Sequence, residues 1–398
     1  MVEQDRRRRL RRLLAAAGVL MAVAAVALIA FDPIGSDDEG GGNVPEAGSR
    51  FGAGEGEQSL LDALAPVLNT KAASADVPLE QAVAQLFAVG FEGQEAPRAL
   101  LRRMRERAWG VVVVSERNYR NPDQLRGVID AAERAARKGR QAAPLFATDP
   151  EALGSLGPPP APDLGLDGTT QEARAEALAA ARRLREAHVR MVLGPSADLA
   201  VGGGPAEDRG FSDDAPQAAA FVEATVSGYR EAHVVVSPGR FPGEGGASQD
   251  PLFGAATVGL SLDELSARDL EPFRAAVRAG ADAVQMSAAL YAAWDGVTPA
   301  TVLPDAIRFL RKETGFDGAV VSADLVAATG ATGGGVARAA VEAIGAGCDL
   351  LVIAGGLEEQ DAAYRAVLEA VRRKEIPRER ILDAARRVAA LKQAAEAP

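Results

Sequence analysis

The side chains most able to do chemistry in this chain are carboxylates and arginines that follow short apolar runs. They are Glu92, Glu116, Asp149, Glu151, Asp198, Arg209, Arg240, Glu244, Asp250 and Asp324, with Ser322 beside the last. Carboxylates can act as general acids, bases or nucleophiles, and arginines can clamp oxygen-bearing groups. Histidine is nearly absent. His188 and His233 are the only two, and both stand ahead of an apolar run rather than after it. That placement argues against a His-based triad or a His metal cluster among the working groups. No motif for a cofactor is present either, so the expectation is a site without metal or cofactor.

The apolar runs must position these groups. They lie at residues 87–91, 110–115, 144–149, 189–195, 233–238, 283–288, 319–324 and 350–355. Each is continuous rather than alternating, as a strand buried on both faces requires. Between them lie Ala/Arg/Leu-rich helical patterns such as residues 171–186 and 265–279. Eight strand–helix repeats predict an α/β fold of the (β/α)8 barrel type, whose working groups sit on loops after the strands. A doubly wound open sheet is the alternative. It calls for a Gly-rich phosphate loop after the first strand, and Phe91-Glu92-Gly93-Gln94 is not one.

The ends of the chain read differently. Arg6, Arg7, Arg8, Arg9, Arg11 and Arg12 crowd residues 1–12, while the 398-residue chain as a whole carries a net charge of −11. Such acidity excludes nucleic acid as a natural partner. Residues 13–31 hold no charge and are long enough to span a ~30 Å hydrocarbon core. The arginines would stay in the cytoplasm and place the barrel on the extracytoplasmic side of the cell membrane. A cleaved signal peptide is the competing reading of the same run. Residues 32–76 are rich in Gly, Ser, Glu and Asp and read as a flexible linker, with a weak helix at 60–68. Residues 77–395 form the expected barrel, and the single Cys348 can make no internal disulfide.

Several tripeptides in order resemble family 3 glycoside hydrolases. They are Gln85-Leu86-Phe87, Gly90-Phe91-Glu92-Gly93, Trp109-Gly110-Val111 with Asn118 and Pro122, Phe241-Pro242-Gly243, Pro272-Phe273-Arg274, Gly315-Phe316-Asp317-Gly318 and Ala346-Gly347-Cys348-Asp349-Leu350. The single-barrel bacterial β-N-acetylglucosaminidases are the most similar branch. The resemblance implies a retaining mechanism, in which an Asp in a Ser-Asp-Asp-Leu stretch attacks the anomeric carbon. An Asp–His pair after the fifth strand would supply the proton. A Lys-His pair before Phe-Pro-Gly, an Asp after the third strand and an Arg after the fourth would hold the sugar.

This chain departs from that set where it matters most. Ser322-Ala323-Asp324-Leu325 puts Ala323 at the nucleophile's place, and Gly239-Arg240 replaces the Lys-His pair. If Asp250 matches the acid/base Asp, Leu252 stands where its His should be. Asp149, Arg209 and Arg240 remain as substrate-binding candidates. The expectation is a catalytically silent barrel that binds peptidoglycan, another glycan or a cell-envelope protein. The alternative is an active O-glycosyl hydrolase in which Asp324, Glu244 (on a mobile loop) or Asp250 takes over. Within the silent reading, Asp149, Arg209 and Asp324 could also simply pair with one another.

Overall fold

Runs of Val, Ala, Leu and Ile become strands here because β-branched and small side chains pack well between helices on a pleated surface. A computed structural model describes residues 77–396 apart from Glu151 and Gly333. The expected cytoplasmic segment, membrane span and linker (residues 1–12, 13–31 and 32–76) lie outside the described residues. Among the described residues no helix is long and apolar enough to cross a membrane.

Among the described residues eleven strands follow in order. They are β1 (Phe87–Val89), β2 (Val111–Val114), β3 (Leu145–Thr148), β4 (Met191–Val192), β5 (Val235–Val236), β6 (Gly239–Phe241), β7 (Thr257–Val258), β8 (Ala283–Met286), β9 (Leu290–Tyr291), β10 (Ala319–Asp324) and β11 (Leu350–Ile353). Nine of them form one parallel sheet in the order β5-β4-β3-β2-β1-β11-β10-β8-β6. Its two ends, β5 and β6, are successive halves of one pass of chain, parted only by Ser237 and Pro238. The first half bonds to β4 and the second to β8, and an isolated bridge joins Ser196 to Gly239. The sheet therefore curls back on itself into a barrel-like α/β fold. All eight apolar runs of the sequence contribute a strand to it. β7 and β9 make a small separate parallel pair beyond the end of β6 and β8.

The strands divide their side chains between two cores. Phe87, Val112, Phe146, Val192, Val236, Val284, Val320 and Leu351 pack outward among the helices. Ala88, Val111, Ala147, Met191, Val235, Ala283, Val321 and Leu350 form a second, inner cluster. Val388, Leu391 and Ala395 of the last helix, Arg378–Glu396, join that inner cluster and stop the barrel at the starting ends of its strands. We call this end the floor and the opposite end the mouth. At the floor Gly110 is obligatory, because a Cβ there would lie 1.8 Å from the Gln85 carbonyl oxygen.

One helix differs from its sequence reading. Residues 265–279 were expected as a continuous helix, but the chain forms a π-turn, Leu265–Asp269, followed by a helix from Glu271 to Arg278. Pro272 stands in the first turn of that helix and has no N–H to give the preceding turn, so the hydrogen-bond ladder shifts there. The shift matters for the mouth. It sets the Asp269 side chain 3.2 Å from where a Cβ on Gly243 would be, and Gly243 itself needs its φ of +120°.

Candidate functional site

The mouth collects its charged groups on the segments after β4 and β6. Asp198 and Arg209 follow β4, whereas Arg240 lies within β6 and Glu244 and Asp250 follow it. Folding brings all five together around the two guanidiniums. Arg209 donates from Nη1 to Asp250 Oδ2 at 2.9 Å and from Nη2 to Glu244 Oε2 at 3.1 Å. Its Nε is 3.6 Å from Asp198 Oδ2. Arg240 stands 3.5 Å from the same Asp198 oxygen and 3.7 Å from Glu244 Oε2.

The carboxylates are held from the other side as well. Glu244 Oε1 accepts from the Ser287 hydroxyl at 2.7 Å and the Ala288 amide at 3.2 Å. Asp198 Oδ1 accepts from the Glu244 amide at 2.8 Å, and its Oδ2 accepts from Ser196 Oγ at 3.0 Å. Asp250 accepts from the Leu252 amide at 2.8 Å, capping the short helical turn Pro251–Phe253. Burial pushes the Glu244 carboxyl up to about 7, with Asp198 adding to the rise while Arg240, Ser287 and Arg209 oppose it. Tyr291 closes the cluster from below. Its hydroxyl donates to the Gly243 carbonyl at 2.9 Å, and burial raises its pKa well above 10.0.

Beside this cluster a cavity opens between the β3 and β4 segments, enclosing about 670 Å³ of empty space that includes some open solvent. Its lining includes Asp149, Ser196, Arg209, Arg240 and Gln285 together with Pro150, Pro158, Leu164 and Phe211. Its lining is therefore mixed, polar and apolar.

Asp324 lies elsewhere. Its Oδ1 accepts from the Val326 and Ala354 amides, each at 3.1 Å. It joins β10 to the segment after β11, and burial raises its pKa while the two amides oppose the rise. Ala323, 6% exposed, packs with Ala288 and Ala328 in a cluster of methyl groups. Its amide donates to Thr301 Oγ1 at 3.0 Å. Ser322 is buried, accepting from the Val352 amide at 2.9 Å and donating to the Ala323 carbonyl at 2.7 Å.

Two expectations are thereby corrected. Glu244 is 1% exposed and hydrogen-bonded at both oxygens, so it is fixed rather than carried on a mobile loop. Arg209 pairs with Asp198, Glu244 and Asp250, so the cluster excludes Asp324, whose oxygen is engaged by backbone amides. Arg240 turns to Asp198 and Glu244 and lines the cavity together with Asp149 and Arg209. Glu92 and Glu116 are exposed and stand apart from the cluster, and Glu151 lies outside the described residues. Leu252 is 60% exposed, and its hydrocarbon side chain offers no hydrogen bond. His188 and His233 stand ahead of β4 and β5, at the floor.

Ser287, Tyr291 and Asp269 were missed by sequence reasoning. Ser287 follows the last residue of β8, and a search for hydroxyls at strand ends would have found it. Asp269 gave no signal, because only the π-turn brings it inward. Among the described residues no group of three or more His, Cys, Asp or Glu is placed to hold a metal ion. Cys348 is buried, and burial lifts its thiol to about 12.

Comparison with known proteins gives a consistent picture. Residues 78–391 match the family model described as the glycosyl hydrolase family 3 N terminal domain. A β-hexosaminidase from Methylococcus capsulatus is 36% identical over 131 residues, which is 33% of this chain and 38% of that enzyme. A glycoside hydrolase family 3 β-N-acetylglucosaminidase from Paenibacillus sp. superposes with a TM-score of 0.76 at 30% identity, covering 80% of this chain and 63% of that one. The β-N-acetylhexosaminidase from Beutenbergia cavernae gives a TM-score of 0.71 at 28% identity, covering 80% and 99%. The match thus spans less than two thirds of the first two relatives.

Proposed function

The chain belongs to family 3 of the glycoside hydrolases, in its β-hexosaminidase-like part, and from that membership we propose that its barrel has become a recognition module for a cell-wall glycan. In this reading it no longer cleaves glycosides. It is tethered at the extracytoplasmic side of the cell membrane by residues 13–31.

One observation carries the loss of cleavage. At the place of the family's nucleophile stands the Ala323 methyl, packed against two more methyls. Neither an ester to the anomeric carbon nor its release is open to such a group. The neighbouring carboxylates are poor replacements. Asp324 is held by two amides, and Asp198, Glu244 and Asp250 are drawn onto Arg209. Swinging any of them into line would break charge-assisted hydrogen bonds, and a misplacement of an ångström already costs about a hundredfold in rate. The cavity beside Asp149, Arg209 and Arg240 would then hold sugar hydroxyls without reacting with them. A cell-envelope protein at the same mouth is the other partner of a silent barrel.

The competing reading, hydrolysis by a displaced carboxylate, has one observation in its favour. A buried glutamic acid that holds its proton to about 7 has the property of a general acid, and Glu244 does so. Release of chromophore from an aryl β-N-acetylglucosaminide decides between them. We expect none from the wild type. Turnover that vanishes in Glu244→Ala or Asp324→Ala would establish hydrolysis and name the replacement group.

A further inference from the structure

We propose that a second cavity, at the floor of the barrel beside Lys392 and Arg190, binds a small tetrahedral oxyanion such as a phosphate monoester. This site is separate from the mouth and takes a different class of ligand. It encloses about 740 Å³ of empty space, including open solvent, between the last helix, the segment ahead of β3 and the segment ahead of β4.

Three features point to an anion. Lys392 is 4% exposed, and its Nζ donates to Gln85 Oε1 at 2.8 Å and to the Ala143 carbonyl at 2.9 Å. Those two acceptors satisfy a neutral amine. An ammonium has a third N–H, which has no acceptor among the described residues and needs one. Arg190, also in the lining, makes no side-chain hydrogen bond or ion pair with the described residues, although its charge acts on the nearby Glu396. Arg137 and His188 add two more nitrogen-bearing groups. A guanidinium fork beside an ammonium is the donor arrangement that phosphate-type oxygens take.

The acids facing Lys392 do not fill this role. Glu133 is engaged by Arg137 at 3.5 Å, and Asp130 by His188 at 2.8 Å. Glu396, one helical turn beyond Lys392, also lines the cavity; burial raises its pKa while the charges of Arg190 and Lys392 oppose the rise, and it makes no ion pair with either among the described residues. Burial also lowers the Lys392 amine to about 7. The anion and the amine's proton therefore arrive together, and affinity falls by roughly tenfold for each pH unit above that value.

Sulfate is the clean probe, because it keeps one charge state across this range. Calorimetric titration of the full chain at about pH 6, in two buffers of different ionisation enthalpy, should show one saturable site. Proton uptake should grow toward one per site as the starting pH rises past the amine's value. Arg190→Gln should weaken binding at least tenfold, and Lys392→Met should abolish the proton uptake. Arg190 is partly exposed, so its replacement reads the site even if the buried Lys392→Met variant fails to fold. Glycerol phosphate and phosphatidylglycerol vesicles, titrated separately, tell a free ester from a lipid headgroup, and binding of either supports the site. Sulfate that binds no better than chloride at equal ionic strength, or equally well to Arg190→Gln, overturns the proposal.

Discussion

The mouth and the floor of this barrel hold opposite versions of one arrangement. At the mouth three carboxylates surround Arg209, whereas at the floor three arginines surround one carboxylate. Asp349 lies 3.0 Å from Arg380, 3.6 Å from Arg387 and 3.7 Å from Arg311, and accepts from the Val320 amide at 2.9 Å. Those partners come from β10, the helix Pro304–Thr314 and the last helix, so the floor cluster joins distant parts of the chain. Asp282, ahead of β8, repeats the device by taking Arg230 at 2.7 Å and the Val236 amide at 3.1 Å. The mouth cluster ties together chiefly the segments after β4 and β6, with Ser287 after β8. The difference teaches where change is tolerated. Groups that hold strands in place cannot be exchanged without loosening the barrel, whereas groups on the loops can be re-paired locally.

The comparison breaks most visibly if Asp349 is removed. Asp349→Ala leaves three guanidiniums facing one another and should cost about 3–5 kcal/mol in stability, as loss of one buried ion-pair partner does. Asp250→Ala, which removes a partly exposed partner of Arg209, should cost no more than about 1 kcal/mol. Urea denaturation of the two variants measures both. Equal losses would mean that the mouth is as structural as the floor.

Changing pH sharpens the same contrast, because the two ends should respond with opposite sign. Lys392 is lowered from 10.5 to about 7 on folding. Between those values the unfolded chain binds the proton that the folded chain lacks, so this group's contribution to stability rises with pH. The full span is roughly 5 kcal/mol. Glu244 is raised from 4.5 to about 7. Between those values the folded chain holds the extra proton, so its contribution falls as pH rises, by roughly 3 kcal/mol at most. Stability relative to Lys392→Met, followed from about pH 7 to 10, should therefore climb for the wild type. Stability relative to Glu244→Gln, followed from about pH 4 to 7, should decline. Slopes of the same sign would refute the assignment of one or the other group.

The smallest effect belongs to the rim of the mouth. Leu252 and Phe253 are 60% and 86% exposed, so Leu252→Ser and Phe253→Ser should each leave the unfolding free energy, read by urea denaturation, within the scatter of surface changes, about ±0.5 kcal/mol. A larger loss would show that this loop is packed in solution.

Much of the barrel was legible along the chain. Every apolar run gave a strand within its limits, because a strand buried on two faces must be apolar at consecutive positions, and that pattern is local. The same holds for the departure at Ser322-Ala323-Asp324-Leu325. Ala323 carries no reactive atom whatever surrounds it, so the proposal that cleavage is lost rests on its residue type. The partners of the charged groups were decided only by the tertiary structure. Arg209 meets Glu244 and Asp250 across 35 and 41 residues, and Lys392 meets Gln85 across 307. No local period records such separations. The burial that moves Glu244 and Lys392 toward neutrality from opposite sides is likewise a property of the closed barrel, since only packing from several elements removes the water that would otherwise hold both in their charged forms.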